Sequence, residues 1–202
     1  MWALVESNSI SKIYARPTAL QLGDIQYPAN IFELWTEAEL KAIGIYEITV
    51  DNTNLKDKEY YQNTDVTYTY NSSPDTVTGA YGTATAKSLT DVLYTATDES
   101  NGLGTEGELR TRGLKYRKKE TINGRANALL QKYDWYTLRA ASGGTAIPSS
   151  VSTYQAAVRT KANSMCTQID NAADVDALVA LYTYNDATPP VRPLGEFPDE
   201  PS

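Results

Sequence analysis

Histidine is absent from these 202 residues. That absence removes the commonest general base, the commonest metal ligand and the usual switch near neutral pH. Nucleophile–histidine–acid arrangements are excluded with it. A single cysteine, Cys166, rules out an intrachain disulfide and leaves the redox compartment open. Long apolar runs are missing as well. The longest, Ala177-Leu178-Val179-Ala180-Leu181-Tyr182, is far short of the roughly 20 residues a bilayer span needs. Glu6 follows directly on Met1-Trp2-Ala3-Leu4-Val5 with no cationic start, which predicts no secretory signal and a soluble chain made in a cytosol. Positive charge is in deficit: 18 Lys and Arg against 25 Asp and Glu, a net charge of −7 and a pI near 4.7. A nucleic-acid binder releases counterions with a basic surface, so this balance argues against one.

What is present suffices for a core: 41% of the residues are apolar. The aromatic set is skewed, with fifteen Tyr beside two Phe and three Trp. Tyrosine buries a ring while its hydroxyl stays in contact with water or a partner. The skew therefore suits a thin sheet with one wet face, or a subunit surface.

The first half reads as strands. Residues 2–5, a polar turn at Ser7-Asn8-Ser9 and residues 10–15 suggest an opening hairpin. Gly23-Asp24 and Tyr27-Pro28-Ala29-Asn30 punctuate a stretch read as loop. Thr36 and Glu39 have capping-box spacing for a short helix that Gly44 ends. Residues 45–50, 65–70 and 77–83 alternate with period two, separated by turn-rich segments.

From Thr90 onward alanine, leucine and charge dominate. A helix is expected over residues 106–133, with Ile122, Ala126, Leu129 and Tyr133 on one stripe, although Gly113 and Gly124 weaken it. After a loop at Ser142-Gly143-Gly144, Val151, Tyr154, Val158, Ala162, Met165 and Ile169 recur at steps of three and four. Asn171 is read as the cap of a last helix over residues 174–182, which completes a helical hairpin. The expected fold is α+β: a β-rich domain over residues 1–97, a linker at 98–105, a helical hairpin or small bundle over 106–184, and a proline-rich acidic tail over 185–202 that packs no core of its own.

None of the chemical motifs survives inspection. Asp174 and Asp176 are two apart on a helix and diverge, so they read as first-turn acids rather than a catalytic pair. Asp98-Glu99-Ser100-Asn101-Gly102 has Leu103 and Leu109 where a calcium loop needs glycine and a bidentate glutamate. Gly102, Gly104 and Gly107 match a dinucleotide spacing but follow no apolar strand. Asn71-Ser72-Ser73 is a sequon of little weight without a secretory signal. Arg110, Arg112, Lys115, Arg117, Lys118, Lys119 and Arg125 form the one basic cluster. It is read as a solvated helix face, or as a docking face for an acidic neighbour such as another copy's tail. No catalytic residue, cofactor or metal is expected, and the chain is read as not an enzyme.

Two stretches carry a resemblance. Residues 25–40 (Ile25-Gln26-Tyr27-Pro28-Ala29-Asn30-Ile31-Phe32-Glu33-Leu34-Trp35 through Leu40), leading into Gly44-Ile45-Tyr46, resemble the front of small tail-associated proteins of tailed bacteriophages. Asp134-Trp135-Tyr136, Thr145-Ala146-Ile147-Pro148, Tyr154-Gln155-Ala156-Ala157-Val158-Arg159 and Ile169-Asp170-Asn171-Ala172-Ala173 are similar to the carboxy-terminal helical module of phage tail-fibre and tail-fibre-assembly proteins. The resemblance implies a non-enzymatic, multicopy structural protein of the virion tail: a fibre, a fibre adaptor or a baseplate-peripheral part. Its partners would be other phage tail proteins or further copies of itself, with no nucleic acid and no membrane. The alternatives are a tail-fibre assembly chaperone and a carbohydrate-binding module. The interface candidates are Val151, Tyr154, Val158, Met165, Ile169, Trp135, Tyr136 and Trp35.

Overall fold

The alternation of the opening residues becomes a hairpin, Trp2–Glu6 (β1) against Ser9–Tyr14 (β2). Ser7 and Asn8 both take positive φ, the backbone of a two-residue turn whose twist matches its strands. In the computed structural model, which describes residues 1–201, two compact units follow one another, Met1–Thr85 and Ala86–Ser202. The fold is α+β, with most of the strands in the first unit and the longer helices in the second.

The stretch read as loop contains a small hairpin, Leu20–Leu22 (β3) with Ile25–Tyr27 (β4), turned at Gly23. One helical turn, Ile31–Leu34 (α1), and the capped helix Glu37–Ala42 (α2) come next. The capping box forms as its spacing predicts: the Glu39 amide donates to the Thr36 hydroxyl and the Glu39 carboxylate accepts from the Thr36 amide. Gly44 adopts φ +80°, and a Cβ there would stand 2.9 Å from the Val5 carbonyl oxygen, so glycine is required twice over.

Ile45–Asp51 (β5), Tyr61–Gln62 (β6), Val66–Asn71 (β7) and Thr76–Tyr81 (β8) follow, and the two-residue strand Thr85–Ala86 (β9) falls at the division between the units. Five of them form one sheet in the order β2-β1-β5-β8-β7, antiparallel except for the β5–β8 pair. The two edge strands, β2 and β7, approach each other, so the sheet curls. One set of alternating residues, Ala3, Tyr46, Ile48 and Val77, packs with Val5, Val50, Tyr68 and Tyr70. The opposite set, Leu4, Tyr14 and Ile45, is covered by Leu20, Ile31, Phe32 and Leu40. Both faces therefore carry a core, and tyrosine rings fill much of it. The Tyr70 hydroxyl donates to Asp75 at 2.7 Å. That bond comes first in holding the Asp75 carboxyl below its usual range.

The second unit starts with a hairpin, Val92–Leu93 (β10) against Leu109–Thr111 (β11), with the short helix Ala96–Ser100 (α3) between its strands. Residues 98–105, the expected linker, lie inside this unit. Asp98 makes a capping box with Thr95 and an ion pair with Arg110 at 3.2 Å. The division falls at residues 85 and 86 instead. The expected helix over 106–133 begins later, as Leu114–Gln131 (α4), because β11 takes its first turns. Gly113 is the N-cap, in extended backbone. A Cβ on it would collide with the backbone of Leu89 and Thr90, so the glycine marks a close crossing rather than a weak helix.

Asp134–Ala141 (α5) follows after a two-residue break, where no separate helix is expected from the sequence. Ser149–Asn171 (α6) packs along α4, and Val175–Tyr182 (α7) returns after three residues to close the hairpin. Asn171 ends α6. The cap of α7 is Asp174, whose carboxylate accepts the Ala177 amide at 2.7 Å. Asp176 sits in the first turn, as first-turn acids should.

The tail does find a seat. Leu194 is fully buried and its amide donates to the Leu181 carbonyl at 3.0 Å. Glu196 accepts from Tyr184 and pairs with Arg192, and Glu200 pairs with Lys132. One apolar anchor flanked by complementary charge holds residues 185–201 as a strap. No periodicity announces such an anchor.

Candidate interaction surface

The six-residue stripe of α6 is buried along its whole length: Val151, Tyr154, Val158, Ala162, Met165 and Ile169. Ile122 and Ala126 of α4 are buried too. Five of the interface candidates, Val151, Tyr154, Val158, Met165 and Ile169, are thus core residues of the second unit rather than a surface for another copy. The helical spacing was an accurate guide to burial, and α4 of the same chain supplies the cover. Trp35 belongs to the first unit. It is half-buried, packs on the core and meets Tyr27 edge-on at 5.7 Å.

Trp135 and Tyr136 are different. Trp135 remains 50% exposed and Leu138 69% exposed on α5. The Trp135 and Tyr136 rings stack at 3.8 Å between centroids. Arg139 places its guanidinium 4.9 Å from the Trp135 centroid and 5.0 Å from that of Tyr136. The same guanidinium donates to the carbonyls of Thr145 and Ala146, which ties the following loop to the ledge. Tyr136 continues the stack to Tyr133, and Tyr133 meets the buried Tyr154 edge-on at 5.3 Å. The exposed Trp135 ring is therefore braced from below by a ladder that runs through the half-buried Tyr136 to the core. Tyr133 is pushed up in pKa, by burial first and then by the Glu200 carboxylate, which accepts its hydroxyl at 3.4 Å.

Such a ledge has the chemistry of a binding hot spot: large flat rings with few torsions left to lose, a guanidinium, and an exposed aliphatic beside them. Sequence reasoning reached Trp135 and Tyr136 but missed Leu138 and Arg139. The signal was available, since Arg139 lies four and three residues beyond the two rings, where helix neighbours meet.

The basic cluster does not make one open face. Arg112 pairs with Asp91 at 2.5 Å and Lys119 with Asp170 at 2.7 Å. Asp91 is held below the usual carboxylate range, first by the Gly113 amide and then by Arg112. Arg125 reaches Glu196 of the chain's own strap at 4.0 Å, so at this position the acidic neighbour, one of the two alternatives for the cluster, comes from the same chain. Lys118 turns inward and lies 4.4 Å over the Tyr182 ring. Among the described residues no group of three or more Cys, Asp and Glu is placed to hold a metal ion. None of their helices is long and apolar enough to cross a membrane. No family model, no curated protein and no solved structure matches the chain.

Proposed function

We propose that this chain is a structural component of a phage virion tail (a fibre, fibre adaptor or baseplate-peripheral protein) that mediates protein–protein assembly. The observation that carries the reading is the α5 ledge, where Trp135 is held half-exposed by stacking on Tyr136 and by Arg139, with Leu138 beside it. Leaving such a surface in water is unfavourable for an isolated protein and useful for one that docks. Asp134-Trp135-Tyr136 is also among the segments that resemble tail-fibre modules, so the ledge and the resemblance point to the same residues.

The test is quantitative mass spectrometry of virions purified from cells infected with a phage encoding the chain. The wild-type protein is expected in multiple copies per particle. A Trp135→Ser, Leu138→Ser variant should cost about 1–2 kcal/mol, because Leu138 is exposed while Trp135 is half-buried in its stack on Tyr136 and Arg139. It should stay folded, yet be lost from the particle. Wild-type protein made in the infected cell but missing from purified virions would overturn the structural reading in favour of an assembly chaperone.

A further inference from the structure

The middle of α4 holds one glycine, Gly124, which is exposed and whose φ is not positive. A Cβ added there would meet nothing within 4 Å. Neither backbone conformation nor packing asks for glycine, although it is the least favourable residue after proline inside a helix. What the missing side chain does is leave bare backbone on the lining of a groove between α4 and α6, with a volume of about 630 Å³. Asn123 and Asn127 line it from α4 and Asn163 from α6. The Tyr116 ring and the Lys119–Asp170 ion pair contribute to the same lining. The Cys166 thiol donates to the Asn123 amide oxygen at 3.7 Å, which helps to orient that side chain.

The amides have a telling pitch. Asn123 and Asn127 are four residues apart, about 6 Å along a helix axis at 1.5 Å per residue. Two residues of an extended chain advance by about 6.6 Å. Each side-chain amide offers both a donor and an acceptor, the complement of the C=O and N–H of a peptide unit. Bare backbone at Gly124 lets such a chain lie close against the helix.

We propose that the α4–α6 groove binds an extended peptide segment of a partner protein, with Asn123 and Asn127 pairing to the backbone of alternate residues as the segment passes over Gly124. Recognition through the main chain makes the groove tolerant of the segment's side chains, as in strand-addition modes of binding. The inference stands on the groove's own geometry and does not depend on the virion reading.

The probe is a displayed library of random linear dodecapeptides, selected on the full-length protein and counter-selected on Gly124→Gln. That variant fills the groove and improves helix propensity, so its melting temperature should not fall. Peptides enriched on wild type are then resynthesised and measured by fluorescence anisotropy. The Asn123→Ala, Asn127→Ala double variant should weaken binding about tenfold or more. N-methylation of alternate peptide bonds in the peptide should do the same, and Trp135→Ser should change nothing. The proposal is overturned if no peptide is enriched over the Gly124→Gln variant, or if the two asparagine changes leave affinity intact. It is equally overturned if neutral oligosaccharides from disaccharide to hexasaccharide bind wild type and not Gly124→Gln while no peptide does.

Discussion

Helices α5 and α6 lie in the same unit and are both rich in apolar and aromatic residues, yet they do opposite things with them. In α6 the large residues repeat at three and four, so they fall on one side and leave water together. In α5 Trp135, Tyr136 and Leu138 crowd into a single helical turn, too short a run to form a stripe, and two of them remain exposed. Periodic apolar residues signal a core. The crowded residues of α5, braced by an arginine, leave Trp135 and Leu138 in contact with water instead.

The comparison is broken most forcefully within α6. Val158→Asp places an unpaired charge in a seam where Val158 has no exposure. It should cost roughly 3–5 kcal/mol, a large share of the stability of an ordinary domain. Arg159→Asp, one position along and exposed, should cost under about 1 kcal/mol. Thermal melts read both, and equal mildness would mean that the α6 stripe is not the core.

The strap tests whether an isolated anchor behaves like the stripe. Leu194→Ala removes a fully buried side chain and should cost about 2–4 kcal/mol if the strap unfolds with the unit. If the strap detaches alone, the main melt stays put and hydrogen exchange at Gly195 accelerates instead.

The smallest expected effect is that of pH on the same strap. Glu200 is held below the usual carboxylate range, by its bond to Lys132 first and then by the Lys132 charge and the Tyr133 hydroxyl. At Glu196 burial pushes upward, but the Tyr184 hydroxyl and the Arg192 and Arg125 guanidiniums outweigh it and the net direction is down. Carboxyls depressed in the folded state stabilise it above their unfolded value, near 4.3, and lose that contribution as pH falls through the folded one. Strap protection in hydrogen exchange should therefore be flat from about pH 8 to 5 and decline below about 4. A decline between pH 8 and 6 would show that other groups hold the strap.

Much of the fold was legible from local rules. The Ser7-Asn8 turn, the Thr36–Glu39 box, the β5 alternation and the α6 stripe each depend on residues within a few positions of one another, so the chain states them outright. The misreadings share a cause. Gly113 looked like a flaw in a helix because the backbone at Leu89 and Thr90 that it must clear lies more than twenty residues away. Asn171 looked like a cap because nothing local says that α6 continues through it.

The sequence by itself determined that one face of α6 must leave water, that histidine chemistry is excluded, and that strands precede helices. Tertiary structure alone decided which surface covers which face. It set the carboxylates of Asp91, Asp170 and Glu196 against Arg112, Lys119 and Arg125, turned Lys118 onto Tyr182, seated Leu194, and left Trp135 and Leu138 outside. Periodicity and propensity act over one or two turns and say what a side chain needs. Which distant residue satisfies that need depends on how the elements meet, and charges or rings far apart in the chain carry no local mark of their partner.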